Sequence, residues 1–206
     1  MQFSSQLLEN AVNEFAKLPG IGKKTALRLV LHLLNQKEIT VNNFSEVIAK
    51  MRTEIKFCHR CFNVADGDIC SICANSMRKQ EIICVVESIR DVIAIESTLQ
   101  FSGTYHVLGG IISPLDGVGP DQLNIAALVQ RVEKEKTEDI IFALNPTIQG
   151  YKTIYYIQKK IQALSIKITT IARGIAFGGE LEYADELTLA RSLQNRMPVE
   201  NYISHK

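Results

Sequence analysis

Two Cys-x2-Cys pairs, Cys58/Cys61 and Cys70/Cys73, are separated by eight residues in a chain of 206 residues that holds five cysteines. A Cys-x2-Cys turn aims two thiolates at one centre, and two such turns complete a tetrahedron around zinc. In a reducing compartment the pairs read as metal ligands rather than disulfides. The intervening segment, Phe62 to Ile69, is too short to bury a core, so the metal takes the place of one. Structural zinc contributes about 10–16 kcal/mol in isolated finger peptides. Four thiolates leave no open coordination position, which makes the expected site structural and not a Lewis acid. A thioredoxin-like redox centre needs one such motif beside a βαβ unit, not two. His59 is expected to face solvent, and Cys84, inside Ile82-Ile83-Cys84-Val85-Val86, to be a buried core thiol.

With 46% hydrophobic and 22% charged residues the composition is that of an ordinary globular protein. No apolar run approaches the ~20 residues of a membrane span. Met1-Gln2-Phe3-Ser4-Ser5 lacks a basic region followed by an apolar core, so a cytoplasmic location and no membrane partner are expected. The net charge of +1 conceals a polarity: residues 1–60 carry nine Lys/Arg against five Asp/Glu, and residues 80–206 carry twelve against fifteen. A basic head on an acidic body points to different partners for different faces.

In the head, Leu7, Leu8, Ala11, Val12 and Phe15 recur at helical spacing, which predicts a helix over residues 4–17. Leu18-Pro19-Gly20-Ile21-Gly22 is a turn signal, and a second helix follows from Lys23 to about Leu34. This is the pattern of a helix-hairpin-helix. Gly20 and Gly22 let the hairpin backbone approach a phosphate, and the start of the second helix adds free N–H groups and the positive dipole end. Lys23, Lys24 and Arg28 are the candidate DNA contacts, with Lys24 and Arg28 four residues apart on one face. Such contacts read the backbone and not the bases. Gly20 to Thr25 is not a P-loop, because Lys23 stands where G-x-x-x-x-G-K-[ST] needs its second glycine and no strand precedes it. The second helix carries two apolar stripes, Ala26/Leu29/Val30/Leu33 and Leu27/Leu31/Leu34. One stripe suffices to dock on a neighbour, so the other is expected to meet a second subunit. His32 is read as a packing residue. Phe44, Val47, Ile48, Met51 and Ile55 continue at helical spacing and are expected to be core.

From Ile82 onward strands and helices alternate. The reading is a strand over 82–86 ending at Glu87, a helix with Val92, Ile93 and Leu99, a strand Tyr105–Leu108, and a Gly/Pro-rich loop to Pro120. A helix to about Glu135, a strand Asp139–Leu144, a helix Gly150–Leu164 and a strand Lys167–Ile171 complete it. Alternation of this kind implies a mainly parallel sheet with function gathered at the carboxyl ends of its strands. Tyr151, Tyr155 and Tyr156 are read as packing or surface residues of a helix.

In this order the chain resembles the bacterial RecR family of recombination mediators over essentially its whole length. The resemblance rests on the hairpin, the four cysteines, Val85-Val86-Glu87-Ser88 with Asp91 and Ala94-Ile95-Glu96, and Phe101-Ser102-Gly103. It continues through Leu108-Gly109-Gly110, Ser113-Pro114-Leu115-Asp116-Gly117, Asn145-Pro146-Thr147 and Gly178-Gly179-Glu180-Leu181-Glu182. The resemblance implies a multi-domain α+β chain. Residues 1–56 would be a helix-hairpin-helix region for DNA binding and oligomerisation, and 57–79 a C4 zinc finger. Residues 80–176 would form a Toprim-type α/β domain, and 177–206 a C-terminal oligomerisation segment. It further implies a ring-like tetramer around DNA, acting with RecO and in some bacteria RecF to load RecA at single-stranded gaps. The zinc segment would be the joint between head and body.

Catalytic Toprim domains hold Mg²⁺ with a glutamate after the first strand and an Asp-x-Asp after a later one. Here Glu87 stands at the first place and Asn145-Pro146-Thr147 at the second. One carboxylate cannot assemble a two-metal site, so a non-enzymatic protein is expected, the alternatives being a Toprim nuclease and a purely protein-binding scaffold. Family members usually carry acids after Asn-Pro-Thr, where this chain has Gln149 and Tyr151, with Lys152 beyond. Partner contact is then expected at Glu87, Asp91 and Glu96.

Overall fold

In a computed structural model, which describes residues 3–176, 178–196 and 198, the chain divides into two compact units, Met1–Ile55 and Lys56–Lys206. In the first unit, α1 (Gln6–Phe15), α2 (Lys23–Leu34) and α3 (Glu38–Glu54) follow one another. The first helix is shorter than the predicted 4–17 because the Ser5 side chain accepts from the Leu8 amide and caps its start. Val12 of α1 packs on Ala26 and Val30 of α2, flanked by Leu8, Ala11 and Phe15.

Two expectations are corrected here. α3 has no buried residue, and the run expected to be core is on the surface, with Phe44 47%, Val47 64% and Met51 50% exposed. Helical periodicity records that a helix has an apolar side, not that the same chain covers it. His32, read as a packing residue, is exposed on α2.

The second unit opens with a short antiparallel pair, β1 (Lys56–Phe57) and β2 (Val64–Ala65), and a one-turn helix α4 (Ser71–Ala74). There follow β3 (Lys79–Val86), α5 (Ile89–Glu96), β4 (Gly103–Val107), α6 (Ile125–Lys134), β5 (Asp139–Ala143), α7 (Ile148–Ile161) and β6 (Lys167–Thr170). The four long strands form one wholly parallel sheet in the order β4-β3-β5-β6. Alternation along the strands divides the core between two faces. Ile83, Val85, Ile140 and Phe142 meet Leu128 and Val132 of α6 and Ile157 and Ile161 of α7. Cys84, Val86, Tyr105 and Val107 meet Val92 of α5 on the other face. Cys84 is thus the core thiol expected of it.

The predicted elements are all present, with ends displaced by a few residues; Leu99, expected on the helix with Val92 and Ile93, lies beyond the end of α5 with φ 56° and is exposed. β3 begins at Lys79, whose amide is held by the Ser102 carbonyl. The loop from Gly109 is not unstructured: it holds 3-10 turns at Pro114–Asp116 and Pro120–Gln122 and an antiparallel bridge between Ser113 and Val118. Of the expected segment 177–206, the described residues contain a 3-10 turn at Leu181–Tyr183 and α8 (Glu186–Gln194), capped by Asp185; the remainder lies outside the described residues.

Candidate functional site

Cys58, Cys61, Cys70 and Cys73 are all buried, and their four sulfurs lie within 4.8 Å of one another. Cys61 Sγ and Cys70 Sγ are 3.5 Å apart, close to the about 3.8 Å separation of ligands on a tetrahedron with Zn–S near ~2.3 Å. Local backbone builds this. The Cys58 amide donates to the Asn63 carbonyl at 2.8 Å and the Phe62 amide to the Cys58 carbonyl at 2.9 Å, closing the first turn with Phe62 at φ 62°. The second turn closes with the Ala74 amide on the Cys70 carbonyl at 3.0 Å. Among the described residues this is the one group of three or more His, Cys, Asp or Glu side chains arranged for a metal. The donor set is that of a closed structural zinc site. His59, between the first two ligands, is exposed as expected.

The knuckles are fused to the sheet. The Val107 amide, at the end of β4, donates to the Cys61 carbonyl at 2.8 Å, and the Phe62 ring meets His106 edge to face at 5.4 Å. Arg60 grips Glu135 through Nε and Nη2, each at 2.8 Å, and Arg131 reaches the same carboxylate at 3.0 Å. Arg131 is itself buried and donates to the Tyr105 carbonyl and the Thr104 hydroxyl. Arg131 stands four residues before Glu135, a local spacing, but no local pattern announces Arg60, 75 residues away.

In the hairpin, Gly20 takes φ +80°, and nothing lies within 4 Å of a Cβ built on either Gly20 or Gly22. Gly22 is the N-cap of α2 and supplies no side-chain cap, so the first-turn amides of α2 remain open to an anion. Lys23, Lys24 and Arg28 are exposed, and none of them forms an ion pair among the described residues.

The three acidic candidates lie at the carboxyl end of β3 and along α5 but are differently engaged. Asp91 Oδ2 accepts from the Ser88 amide at 2.7 Å and the Ser88 hydroxyl at 3.0 Å, forming a capping box. Glu96 is gripped by both Nη groups of Arg78 and by the Tyr105 hydroxyl at 2.7 Å. Burial raises the Glu96 carboxyl, but the Arg78 and Tyr105 hydrogen bonds outweigh this and hold it below its ordinary value. Glu87 receives the Asn145 amide at 3.1 Å, so an amide stands where a second carboxylate would face it. Asn145 itself is held in a tight approach: a Cβ on Gly150 would come within 2.2 Å of the Asn145 carbonyl oxygen. Of the three tyrosines of α7, Tyr156 packs on the core, Tyr155 is exposed, and Tyr151 lies under the guanidinium groups of Arg173 and Arg191.

Models of the RecR helix-hairpin-helix, the RecR four-cysteine zinc finger domain, the Toprim domain and the RecR C-terminal region match residues 8–52, 55–75, 81–172 and 174–197. The chain is 58% identical over 200 residues to the Recombination protein RecR of Flavobacterium johnsoniae, covering 97% of each chain. It is 54% identical over 195 residues to that of Bacteroides thetaiotaomicron, covering 95% of each. It is 49% identical over 195 residues to that of Porphyromonas gingivalis, covering 95% of this chain and 94% of the relative.

Proposed function

Because the chain belongs to the RecR family of recombination proteins, we propose that it is a non-enzymatic DNA clamp acting in the cytoplasm as a recombination mediator. The observation that carries this reading is the uncapped start of α2 beside Lys23, Lys24 and Arg28, exposed and without ion-pair partners among the described residues. In this reading the α2 amides and the three cations hold backbone phosphates, with Gly20 and Gly22 permitting close approach, so binding is independent of base sequence. The zinc at Cys58, Cys61, Cys70 and Cys73 keeps its structural role.

A ring-like homotetramer is supported by the uncovered apolar side chains of the first unit. Leu31 and Leu34 of the second α2 stripe remain exposed, and a groove of about 740 Å³ between α1, α2 and α3 is lined by Leu7, Leu8, Phe15, Leu34 and Phe44. Second copies of the chain are the proposed occupants. Partner contact with RecO, and with RecF where it participates, is proposed at the end of the sheet that carries Glu87, Asp91 and Glu96, leading to RecA loading at gaps. Glu87 is the recognition charge of the three, since Asp91 and Glu96 hold the local fold.

A metal-dependent Toprim enzyme is the weaker reading because Glu87 faces the Asn145 amide and not another carboxylate. Metal-dependent nicking of supercoiled DNA that Glu87→Ala abolishes would reinstate it. The clamp reading is tested by Lys24→Glu with Arg28→Glu. DNA affinity should fall at least a hundredfold, and the salt slope by about 1.8, from two phosphates at ~0.9 each. The sedimentation of the oligomer should be unchanged. Wild-type affinity and slope in the double variant would overturn the reading.

A further inference from the structure

α7 carries three lysines and no carboxylate, on a body whose residues otherwise lean acidic. Gly150, Thr153, Ile157 and Ile161 set its buried side. On the opposite side Tyr151, Tyr155 and Lys159 recur every four residues with Lys152 beside them, all exposed. Tyr155, in the middle, is 59% exposed, and the Lys159 ammonium rests 4.7 Å from its ring centroid. At the head of the stripe the Arg173 and Arg191 guanidinium groups lie 4.6 and 5.4 Å from the Tyr151 ring centroid. Both also donate to its phenolic oxygen.

Neither guanidinium has an ion-pair partner among the described residues. Asp185 lines the pocket they share, but its carboxylate accepts from the Thr188 amide at 2.9 Å and the Thr188 hydroxyl at 2.6 Å. Burial and the neighbouring Arg191 charge hold the Arg173 guanidinium below its ordinary value. Two cations kept side by side without a counter-ion are relieved by an anion from outside.

We propose that this face of α7, with Arg173 and Arg191 at its head, is a second nucleic-acid contact that takes single-stranded DNA, separate from the hairpin. Guanidinium and ammonium groups supply phosphate contacts, and the exposed Tyr155 ring supplies, on the face away from Lys159, a platform on which a base stacks, a combination that suits single strands of any sequence. From Tyr151 to Lys159 the stripe is about 12 Å long at ~1.5 Å per residue, long enough for a short run of nucleotides. A duplex keeps its bases inside and cannot use the ring. An acidic protein segment would use the charges and leave the ring idle.

The test uses the full-length protein with labelled oligo(dT) of about 20 nucleotides and a duplex of equal length, followed by fluorescence anisotropy across a salt series. Tyr155→Ala should weaken oligo(dT) binding roughly 5- to 150-fold, the range for losing one stacked base, while Tyr155→Phe retains it. Lys152→Glu with Lys159→Glu should reduce the single-strand salt slope by about 1.4, two phosphates at ~0.7 each, and leave duplex affinity unchanged. Photo-crosslinking with a halogenated-uracil strand should place the adduct on the peptide containing Tyr155. These positions are exposed, so far-UV circular dichroism should match wild type. Wild-type single-strand affinity in both variants, or an adduct absent from α7, overturns the proposal. So does equal weakening of single strand and duplex, or a face that binds a poly-glutamate peptide and not oligo(dT). The crosslink reads α7 alone, so its failure and that of the hairpin contact are distinguishable: Lys24→Glu with Arg28→Glu should lower total affinity and leave the α7 adduct in place.

Discussion

His106 binds one imidazole to the pH response of the whole fold. It is fully buried on β4, with Nε2 2.9 Å from the Asn124 carbonyl oxygen. A carbonyl only accepts, so Nε2 carries the proton, and Nδ1 has no hydrogen-bond partner among the described residues. Burial pushes the imidazole down to about 4, whereas in the unfolded chain it titrates near ~6.5. Between those values the unfolded state binds more protons, so this contribution is complete above the unfolded value and is lost as pH falls towards the folded one. Urea denaturation should show a stability loss of up to about 3 kcal/mol across that window, and His106→Gln should flatten it. A slope unchanged in the variant would place the proton uptake elsewhere. Glu135 acts at lower pH. Burial raises its carboxyl, but the hydrogen bonds from Arg60 and Arg131 prevail and hold it below its ordinary value. Its stabilisation is therefore present above ~4.3 and disappears as pH falls through the depressed value. Glu135→Ala leaves Arg131, with a side chain 5% exposed, without its carboxylate. The expected cost is about 2–3 kcal/mol, below that of a fully buried pair because Glu135 is itself partly solvated.

At the scale of elements, the zinc knuckles and the N-terminus of α7 each hang on local geometry that a single change breaks. Removing zinc should release the Cys58–Asn63 and Cys61–Val107 hydrogen bonds, because the metal that ties the two turns together is lost and the segment has no core to replace it. Hydrogen exchange after chelation should accelerate from β1 through α4 while the amides of β3 and β5 stay protected. Exchange unchanged at the Phe62 amide would show that the knuckle stands without its metal. Gly150→Ala drives a methyl group into the Asn145 carbonyl. It should cost about 1–3 kcal/mol in urea denaturation and break the hydrogen bond from Asn145 to Glu87. Such elements were legible in the sequence to different degrees, and for physical reasons. The cysteine spacing is a statement about a turn, so the four ligands could be read directly, and so could the strand–helix alternation. The fate of α3 could not, because Phe44, Val47 and Met51 have the right spacing for burial and no partner surface within the described residues of the first unit. Nor could the role of Glu96, which depends on Arg78 eighteen residues away, or the pairing of Tyr151 with Arg173 and Arg191, which closes over 22 and 40 residues. α8 went unassigned because its short apolar pattern is weak beside that of the sheet strands.

At the scale of the whole molecule, the apolar side chains that α2 and α3 leave in water demand a cover. Leu31, Leu34, Phe44, Val47, Ile48 and Met51 are all exposed, a density that a monomer in solution rarely presents and that subunit interfaces use. If copies of the chain cover them, charge placed on the surface separates the subunits without touching the Val12–Ala26–Val30 packing that holds α1 to α2. Leu31→Asp with Leu34→Asp tests the exposed α2 stripe, and Val47→Asp with Met51→Asp tests α3. Each pair should lower the sedimenting mass towards that of a single 23.0 kDa chain while helical circular dichroism persists. DNA affinity should then fall although Lys23, Lys24 and Arg28 are intact, because a ring gathers several hairpins on one duplex and a lone chain offers one. The order of events separates causes: loss of assembly with a reduced salt slope identifies multivalency as what the ring adds. Loss of DNA binding with assembly preserved would mean that these apolar residues shape the hairpin itself. Unchanged mass at intact folding in either pair would show that the face it probes does not lie between subunits.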